Sequence, residues 1–368
     1  MPADDVLRAP GQPQRRQGEM AREVYGALDL GTNNCRLLIA RPAPDGFRVV
    51  DAFSRIVRLG EGVLASGRLS EQAMARTLLA LKICADKMAQ RGVTRVRAVA
   101  TEACRRARNC GLFLDRVKRD TGIALEIISS SEEANLALYG CAPLLDGRIR
   151  HAIVFDIGGG STEVSWLGVP RGFAGRGRRA LRLHLLGYHS LPFGVVTLAE
   201  RYGGHVITTR TYQAMVEEVG RALAPFEARH QLRALVADGR VQMLGTSGTV
   251  TTLAGVHQCL ARYDRARIDG CYLSFDTVRE VTGRIAAMSY DERAANPCIG
   301  HQRADLVVAG CAILETLCRT WPVGRLRVAD RGLREGILVT LMARARPARP
   351  ASGRPASQAR AELGERGA

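Results

Sequence analysis

The sequence has little lysine, few aromatic residues and no long apolar run. Only three of its 53 Lys and Arg residues are lysine, and aromatic residues make up 5% of the chain. Its ten cysteines include no C-x-x-C pair and no grouping with histidine at the spacing of metal ligands. No apolar run reaches the ~18 residues needed to span a bilayer. These absences exclude a disulfide scaffold and a membrane span, and we expect reduced thiols in a cytoplasmic protein.

The chain is long enough for two or three domains and carries a strong positive charge. It has 368 residues, of which 46% are hydrophobic, and a formal net charge of +17. Residues 171–184 contain five arginines and no acid, and the Pro/Ala/Gly/Ser-rich residues 344–368 contain six arginines and two glutamates. We expect residues 344–368 and 1–22 to be disordered. The charge indicates an anionic partner without identifying it.

A duplicated hairpin organises the chain. An apolar strand begins at Tyr25 and includes Asp29 near its end, a polar turn follows, and a second strand begins at Cys35. Residues 151–167 repeat this pattern, with Asp156 in the place of Asp29. The two aspartates are 127 residues apart, which is about the length of one domain.

Each hairpin opens a unit of strands and helices. The first unit is predicted as β-β-β-α-β-α-β, with Ser70 as the cap of its first helix. In the second unit we predict strands at 183–190 and 241–244 and mainly helical sequence afterwards. The sequence therefore predicts two consecutive α/β domains, at residues 23–148 and 149–343, with the last helix able to pack back on the first domain.

The two hairpin turns contain residues that can bind anions. The second turn contains three consecutive glycines, Gly158 to Gly160, which let backbone N–H groups converge on an anion, because no Cβ blocks its approach and positive φ is accessible. No lysine follows this second turn and it leads into a strand, so it is neither a Walker A loop nor a dinucleotide-binding fingerprint. Two such turns facing one cleft would suit a phosphate chain, and flexible hairpin turns are the structural alternative. The candidate phosphate-binding residues here are Gly31, Thr32, Asn33, Gly158, Gly159, Gly160 and Ser161.

Carboxylates flank the glycine-rich turn. Asp156 ends the strand before it, and Glu163 lies in the strand after it. Hard carboxylate oxygens beside a phosphate site are typical ligands of Mg²⁺, which usually keeps several waters. The pair predicts a Mg²⁺ site, and capping of the turn is the structural alternative for Asp156.

Three further segments place polar residues directly after strand ends. In the first, the start of a helix can keep Glu132 or Glu133 ionised as a proton acceptor, although Ser130 and Glu133 also have the spacing of a capping box. In the second, Arg105 can bind a phosphate bidentately or lie in a solvated basic helix start. In the third, Ser247 is either an anion contact or a helix cap.

Together these motifs resemble one known family. From Tyr25 to about Met342 the chain is similar to the exopolyphosphatase and guanosine pentaphosphate phosphohydrolase family, in the short form without an additional C-terminal helical domain. The motifs that carry the resemblance are, in order, Asp29-Leu-Gly-Thr-Asn33, Thr101-x-Ala-x-Arg105, Ile128-Ser-x-x-Glu132-Glu133-Ala134, Asp156-Ile-Gly-Gly-Gly-Ser-Thr-Glu163, Gly245-Thr-Ser-Gly-Thr249, Arg303-Ala-Asp305 and Asp330-Arg-Gly-Leu-Arg-Glu-Gly336.

The resemblance implies a fold and a set of roles. The fold would be two tandem ribonuclease-H-like domains of the actin, Hsp70 and sugar-kinase superfold, with the active site in the cleft between them. Glu133 would be the general base that activates water, Arg105 and Asn33 would bind phosphate, and Asp156 and Glu163 would hold Mg²⁺. These residue types supply the positioning and charge neutralisation that phosphoryl transfer requires. Asn34 stands where the family commonly has a small hydroxyl residue, which leaves substrate preference open.

Three functions compete at this stage. The first is hydrolysis of terminal phosphate from polyphosphate, with the arginines of residues 171–184 as an extended track, or from guanosine pentaphosphate. The second is a kinase or ATPase of the same superfold. The third is a non-catalytic binder of polyphosphate or guanosine alarmones. Nucleic acid is not expected as a partner, because few aromatic residues are available for base stacking, and the sequence leaves a homodimer open.

Overall fold

The computed structural model describes residues 23–345 of the protein. The predictions of disorder for residues 1–22 and 346–368 lie outside the described residues. Arg344 and Ala345, which we predicted as the start of the tail, are the last residues of a helix.

The first half of the chain forms a five-stranded sheet in the order β3-β2-β1-β4-β5. Strand β1 pairs antiparallel with β2 and parallel with β4, and β2 pairs antiparallel with β3. The strands are β1 (Tyr25–Leu30), β2 (Asn34–Ala43), β3 (Gly46–Ile56), β4 (Arg95–Ala100) and β5 (Leu125–Ile127). The helices are α1 (Val63–Ser66), α2 (Glu71–Gln90), α3 (Glu102–Arg106), α4 (Cys110–Thr121) and α5 (Ser130–Cys141).

The second half forms a six-stranded sheet in the order β10-β11-β9-β6-β7-β8. Its strands are β6 (His151–Ile157), β7 (Thr162–Gly168), β8 (His184–Leu191), β9 (Val241–Thr246), β10 (Tyr272–Ser274) and β11 (Arg325–Ala329). Its α-helices are α6 (Val195–Tyr202), α7 (Thr209–His230), α8 (Leu232–Ala237), α9 (Gly248–His257), α10 (Arg265–Ile268), α11 (Phe275–Ala287), α12 (Tyr290–Ala295), α13 (Val307–Thr320) and α14 (Leu333–Ala345).

The elements follow from short-range sequence signals. Strand β1 is buried along its whole length, as expected for a strand covered on both faces. Helix α2 begins where the Ser70 hydroxyl accepts a hydrogen bond from the Ala73 N–H at 3.2 Å, so the predicted cap is confirmed. The prediction of mainly helical sequence after residue 244 is confirmed, and two short strands that we did not predict, β10 and β11, lie between the helices.

The duplicated hairpin is present in both sheets. Asp29 lies opposite Arg36 in the β1–β2 hairpin, and Asp156 lies opposite Glu163 in the β6–β7 hairpin. In each half the opening strand also pairs in parallel with a later strand, β4 or β9. The carboxyl ends of these strands therefore carry the turns, as in other open α/β sheets whose ligands bind at that end.

Helix α14 joins the two halves. Its apolar side chains, among them Leu333, Ile337 and Met342, share a core with Tyr25 and Leu38 of the first sheet. No helix within residues 23–345 combines the length and the apolar character required to cross a membrane.

The contact between α14 and α5 requires glycine at its centre. A Cβ at Gly336 would lie 1.8 Å from the Leu136 carbonyl oxygen, and one at Gly140 would lie 2.0 Å from the Gly332 carbonyl oxygen. Both neighbours are backbone atoms, so they cannot move aside without displacing a helix. The two helices therefore pack closely only because both positions lack a side chain.

We predict that Gly336→Ala lowers the free energy of unfolding by about 3 kcal/mol, because the added methyl group forces the helices apart. Chemical denaturation of the full chain measures this change. Gly283→Ala is the matched control, because Gly283 lies in α11 with no atom near its Cβ position, and helix propensity there favours alanine by about 1 kcal/mol. Equal stability of the two variants would contradict the close packing.

Candidate active site

A cavity of about 430 Å³ lies between the two hairpin turns, with walls from both halves of the chain. Most of the residues predicted from the sequence line it. These are Gly31, Thr32, Asn33, Glu133, Asp156, Gly158, Gly159, Gly160, Ser161 and Ser247. Arg105 and Glu163 lie behind this first layer of side chains.

The two turns are in close contact. A Cβ at Gly159 would lie 3.0 Å from the Thr32 Cβ, and one at Gly160 would lie 2.7 Å from the Thr32 hydroxyl oxygen. Neither glycine has a positive φ, so access to positive φ, which we expected from the sequence to matter, is not the reason for glycine in this turn. Glycine is needed here because the opposing turn occupies the space of a side chain.

The backbone of the glycine turn is oriented by helix α6. The N–H groups of Val195 and Val196, at the start of α6, donate to the Gly158 and Gly159 carbonyl oxygens at 3.0 and 2.8 Å. Because these carbonyls are bonded to α6, the amide groups that follow them are free to face the cavity. Within the described residues, the N–H groups of Gly159, Gly160 and Ser161 have no backbone or side-chain acceptor. Converging free amides of this kind bind anions.

Four polar side chains that line the cavity also have a buried atom without a partner. The hydroxyls of Thr32 and Ser247 and the amide oxygens of Asn33 and Asn34 make no hydrogen bond within residues 23–345. Leaving a buried polar group unpaired costs about 1–3 kcal/mol, so these atoms indicate a polar ligand. Ser247 has a φ of 114° and does not cap α9, so the structural alternative considered for it was wrong. Its strained backbone instead aims the hydroxyl at the cavity.

Glu133 points into the cavity because a different serine caps its helix. The Ser129 hydroxyl accepts from the Glu132 N–H at 3.2 Å, so the capping box between Ser130 and Glu133 was wrong by one residue. Glu132 forms an ion pair with Arg97 at 2.6 Å. Glu133 is thereby left available for the cavity, and its side chain is only 14% exposed.

Arg105 holds the Glu133 carboxylate in place. One of its terminal nitrogens donates to a Glu133 oxygen at 2.9 Å and to the Ile128 carbonyl oxygen at 2.9 Å, and Nε donates to Glu102 at 2.9 Å. The Arg105 side chain is 18% exposed, so the alternative of a solvated helix start was wrong. This network fixes the direction of the Glu133 carboxylate.

Burial shifts the carboxylates toward the protonated form. The pKa of Glu133 is raised to about 7; desolvation by burial is the largest cause, Arg105 opposes the shift, and Asp156 and Asp29 add to it. Desolvation likewise raises the pKa of Asp156 to about 6, with Asp29 adding to the effect. A carboxylate with a pKa near neutrality can accept a proton from water and release it again.

The acidic pair suits Mg²⁺ held jointly with phosphate. Asp156 reaches the cavity and accepts no hydrogen bond within residues 23–345, which argues against its role as a turn cap. Glu163 is 3% exposed, accepts from the Ser190 hydroxyl at 3.2 Å, and has its pKa raised by burial and by Glu133 and Asp156. No group of three or more potential ligands is found among the described residues. Two carboxylates fit Mg²⁺, which completes its shell with waters and phosphate oxygens.

Three arginines form a basic wall that we did not predict as part of the site. Arg36, Arg303 and Arg334 line the cavity, and none has an ion pair within residues 23–345. Arg303 donates only to the Thr252 hydroxyl at 3.3 Å, and burial lowers the pKa of Arg303 and of Arg334. Partly buried guanidinium groups without carboxylate partners indicate a bound anion. Arg303 and Arg334 belong to two of the family motifs found in the sequence. Because those motifs are far apart in sequence from each other and from Arg36, the sequence did not show that the three arginines lie in one cavity.

The basic segment at residues 171–184 lies away from the cavity. It follows β7, which runs away from the glycine turn for seven residues, or roughly 20 Å. Its Gly177 amide nitrogen lies 3.9 Å from the Cβ position of Gly46, in the turn between β2 and β3. These arginines therefore lie outside the cleft, and their use as an extended track for a long chain stays a prediction.

An ion pair closes one edge of the cleft. Arg58 of the first half donates two hydrogen bonds to Asp305 of the second half, at 2.8 and 3.0 Å. The Arg58 N–H is bonded to the Asn33 carbonyl oxygen at 3.0 Å, so the pair connects the first phosphate turn to the segment that carries Arg303. Asp305 itself is packed against Gly204, where a Cβ would lie 2.3 Å from its carbonyl oxygen.

We predict a coupling energy of about 1 kcal/mol between Arg58→Gln and Asp305→Asn in a double-mutant cycle of unfolding free energies, because both groups are partly buried and their contact is bidentate. The exposed pair Arg116 and Glu71, at 3.3 Å, is the matched control and should show almost no coupling. Similar coupling in both cycles would contradict a special role for the cleft pair.

Comparison with known proteins places this arrangement in a family. The sequence profile of the Ppx/GppA phosphatase family matches residues 38–345. Exopolyphosphatase 2 of Mycobacterium tuberculosis is 31% identical over 338 residues, which cover 88% of this chain and 99% of that protein. The guanosine-5'-triphosphate,3'-diphosphate pyrophosphatase of Photobacterium profundum is 27% identical over 331 residues, 88% of this chain and 60% of that protein.

Solved structures agree with this assignment. The Ppx/GppA family member from Aquifex aeolicus matches with a TM-score of 0.72 at 28% identity, covering 89% of this chain and 99% of that one. An exopolyphosphatase from Cytophaga hutchinsonii matches with a TM-score of 0.76 at 26% identity, covering 87% and 98%. The α/β architecture expected from the sequence is thus confirmed. The chain belongs to the Ppx/GppA phosphatase family and has its two-domain, actin-like fold.

Proposed function

We propose that the protein is a Mg²⁺-dependent phosphohydrolase that releases terminal orthophosphate from inorganic polyphosphate. The observation that carries the proposal is Glu133, a carboxylate with a pKa raised to about 7, placed at a cavity bounded by two anion-binding turns. Family membership and the exopolyphosphatases among the relatives support hydrolysis rather than a kinase reaction or binding alone.

The terminal phosphoryl group is proposed to lie between the two turns. The backbone amides of Gly159, Gly160 and Ser161, the Thr32 hydroxyl and the Asn33 side-chain amide nitrogen donate to its oxygens. For the Thr32 hydroxyl, which is otherwise buried without a partner, the substrate supplies the missing acceptor. Preorganised donors of this kind stabilise the charge that develops during phosphoryl transfer.

Glu133 is proposed to activate the attacking water. It accepts a proton as the water oxygen bonds to the terminal phosphorus, and the bridging P–O bond breaks with its electrons on the shortened chain. Arg105 orients Glu133 from behind the lining of the cavity, so the phosphate-binding role predicted for it from the sequence becomes a positioning role in this proposal. Arg36 and Arg303 neutralise the remaining phosphates. Proton transfer to a positioned base contributes about 10²–10⁴-fold in rate.

Asp156 and Glu163 are the proposed holders of Mg²⁺. When bound, the ion neutralises phosphate oxygens and favours the increase in charge on the leaving chain. Glu163 lies opposite Asp156 in the β6–β7 hairpin and just outside the residues that line the cavity.

Guanosine pentaphosphate is the second candidate substrate. The cavity wall includes Tyr263, which has an exposed aromatic side chain. It lines the same cavity as the basic wall of Arg36, Arg303 and Arg334. An aromatic ring beside arginines can stack a base and bind the phosphates attached to it. The relative from Photobacterium profundum, which is named for a guanosine substrate, supports this alternative.

The proposal is tested by orthophosphate release from long polyphosphate, tripolyphosphate and guanosine pentaphosphate, measured side by side with and without Mg²⁺. We expect release from polyphosphate, and its loss when Mg²⁺ is removed by a chelator and its recovery when Mg²⁺ is restored. Orthophosphate release from guanosine pentaphosphate alone would make guanosine pentaphosphate the substrate in place of polyphosphate. Turnover of ATP with none of these substrates would contradict the proposal.

Glu133→Gln is expected to lower kcat for polyphosphate by about 10³-fold, because the amide cannot accept the proton from water. Substrate affinity should remain within about tenfold, since the phosphate-binding groups are unchanged. Glu132→Gln is the matched control, because Glu132 is the adjacent residue on the same helix but pairs with Arg97 outside the cavity. Comparable losses of kcat in both variants would contradict the role of Glu133 as the general base.

A further inference from the structure

A row of arginines crosses the end of the second sheet that is opposite the cleft. Arg150 and Arg240 directly precede the paired strand residues His151 and Val241, and Arg325 begins the neighbouring strand β11. All three arginines are exposed. Across the sheet in the other direction, Val169 donates to the Arg150 carbonyl oxygen at 2.7 Å, and this places the start of the basic segment in the same row.

The basic segment extends this row at both of its ends. Arg171 precedes Gly172, whose N–H donates to the Gly147 carbonyl oxygen at 3.2 Å beside Arg148. Arg182 lies two residues before His184, the residue of β8 that pairs with Gly168. The row thus follows five adjacent strands, β11, β9, β6, β7 and β8, a span of roughly 20 Å at the usual spacing between strands.

The acids near this end are already paired with arginines, one of which, Arg240, belongs to the row. Asp146 pairs with Arg148, Asp238 pairs with Arg240, and Asp276 pairs with Arg279. Four exposed arginines are left without a carboxylate partner within the described residues, and these are Arg150, Arg171, Arg182 and Arg325. Uncompensated positive charge in a line suits a linear polyanion.

The features of the row favour a chain of phosphates over nucleic acid. The exposed aromatic residue in this region is Tyr272, and its ring already lies 5.0 Å from the Arg325 guanidinium and 5.2 Å from that of Arg327. A ring covered in this way offers little surface for stacking a base. Guanidinium groups bind phosphate oxygens without any contribution from bases.

We propose that this arginine row is a second binding site for the distal part of a long polyphosphate chain. The proposal rests on the proposed function for the identity of the substrate. The row lies about 20 Å from the glycine turn, the length of β6, so a long chain can occupy both sites while a short one cannot. Binding at the row raises the effective concentration of chain ends at the cleft and thereby lowers the KM for long chains.

The test compares two triple variants with equal changes in net charge. The first replaces three unpaired arginines of the row, in Arg150→Gln, Arg171→Gln and Arg325→Gln. The control replaces three exposed, unpaired arginines on helices α7 and α11, in Arg210→Gln, Arg221→Gln and Arg284→Gln. Circular dichroism and turnover of tripolyphosphate, which is too short to reach the row, show whether each variant remains folded.

For the row variant we expect kcat/KM on long polyphosphate to fall about tenfold through KM, with turnover of tripolyphosphate unchanged. Direct binding of long polyphosphate should become less dependent on salt, with a slope of log K against log salt shallower by about 2 for three lost contacts. The control variant should match the parent in both measurements.

Equal affinity of the parent and the row variant for long polyphosphate at every salt concentration would overturn the proposal. So would a loss of duplex DNA binding in the row variant with unchanged polyphosphate binding, which would assign the row to nucleic acid. The binding measurement does not depend on catalysis. If the parent releases no phosphate from polyphosphate, the proposed function fails while the row is still tested by binding.

Discussion

The site depends on acidic side chains held close together where little water reaches them. Asp29, Glu133, Asp156 and Glu163 all have raised pKa values, with desolvation as the largest cause for each. Repulsion between neighbouring carboxylates adds to the shift, and Arg105 is the cation in contact with Glu133. Such a cluster is unfavourable by itself, so it is stabilised when a cation and a proton-donating water enter. The electrostatic cost of holding these acids together and the chemistry of the site thus have the same origin.

The close approach of the two hairpin turns gives this cluster its shape. Thr32 occupies the space in which Gly159 and Gly160 would carry side chains, so each turn completes the wall of the other. The amides of the glycine turn face inward because the start of α6 binds the carbonyls of Gly158 and Gly159. The pair Arg58–Asp305 then fixes the edge of the cleft at which the first turn meets the basic wall.

Much of the fold and part of the site could be predicted from local sequence. The hairpins, the glycine turn and Glu133 follow from short motifs, because backbone contacts near in sequence create them. The helix cap was misassigned because Ser129 and Ser130 are adjacent and either hydroxyl could satisfy the helix start. The basic wall was missed because Arg36, Arg303 and Arg334 meet only through long-range packing. The location of residues 171–184 follows from strand direction, since a strand leaving the glycine turn leads away from the cleft.

The central claim is that burial gives Glu133 a pKa near neutrality, and a direct titration tests it. In the full chain labelled with ¹³C at the glutamate carboxyl carbon, the Glu133 signal is assigned as the one lost in Glu133→Gln and is followed from pH 4 to pH 9. The structure predicts a midpoint near pH 7, with the carboxylate protonated below it and able to act as a base above it. A midpoint near 4.5, the ordinary value for a glutamate, would contradict the account.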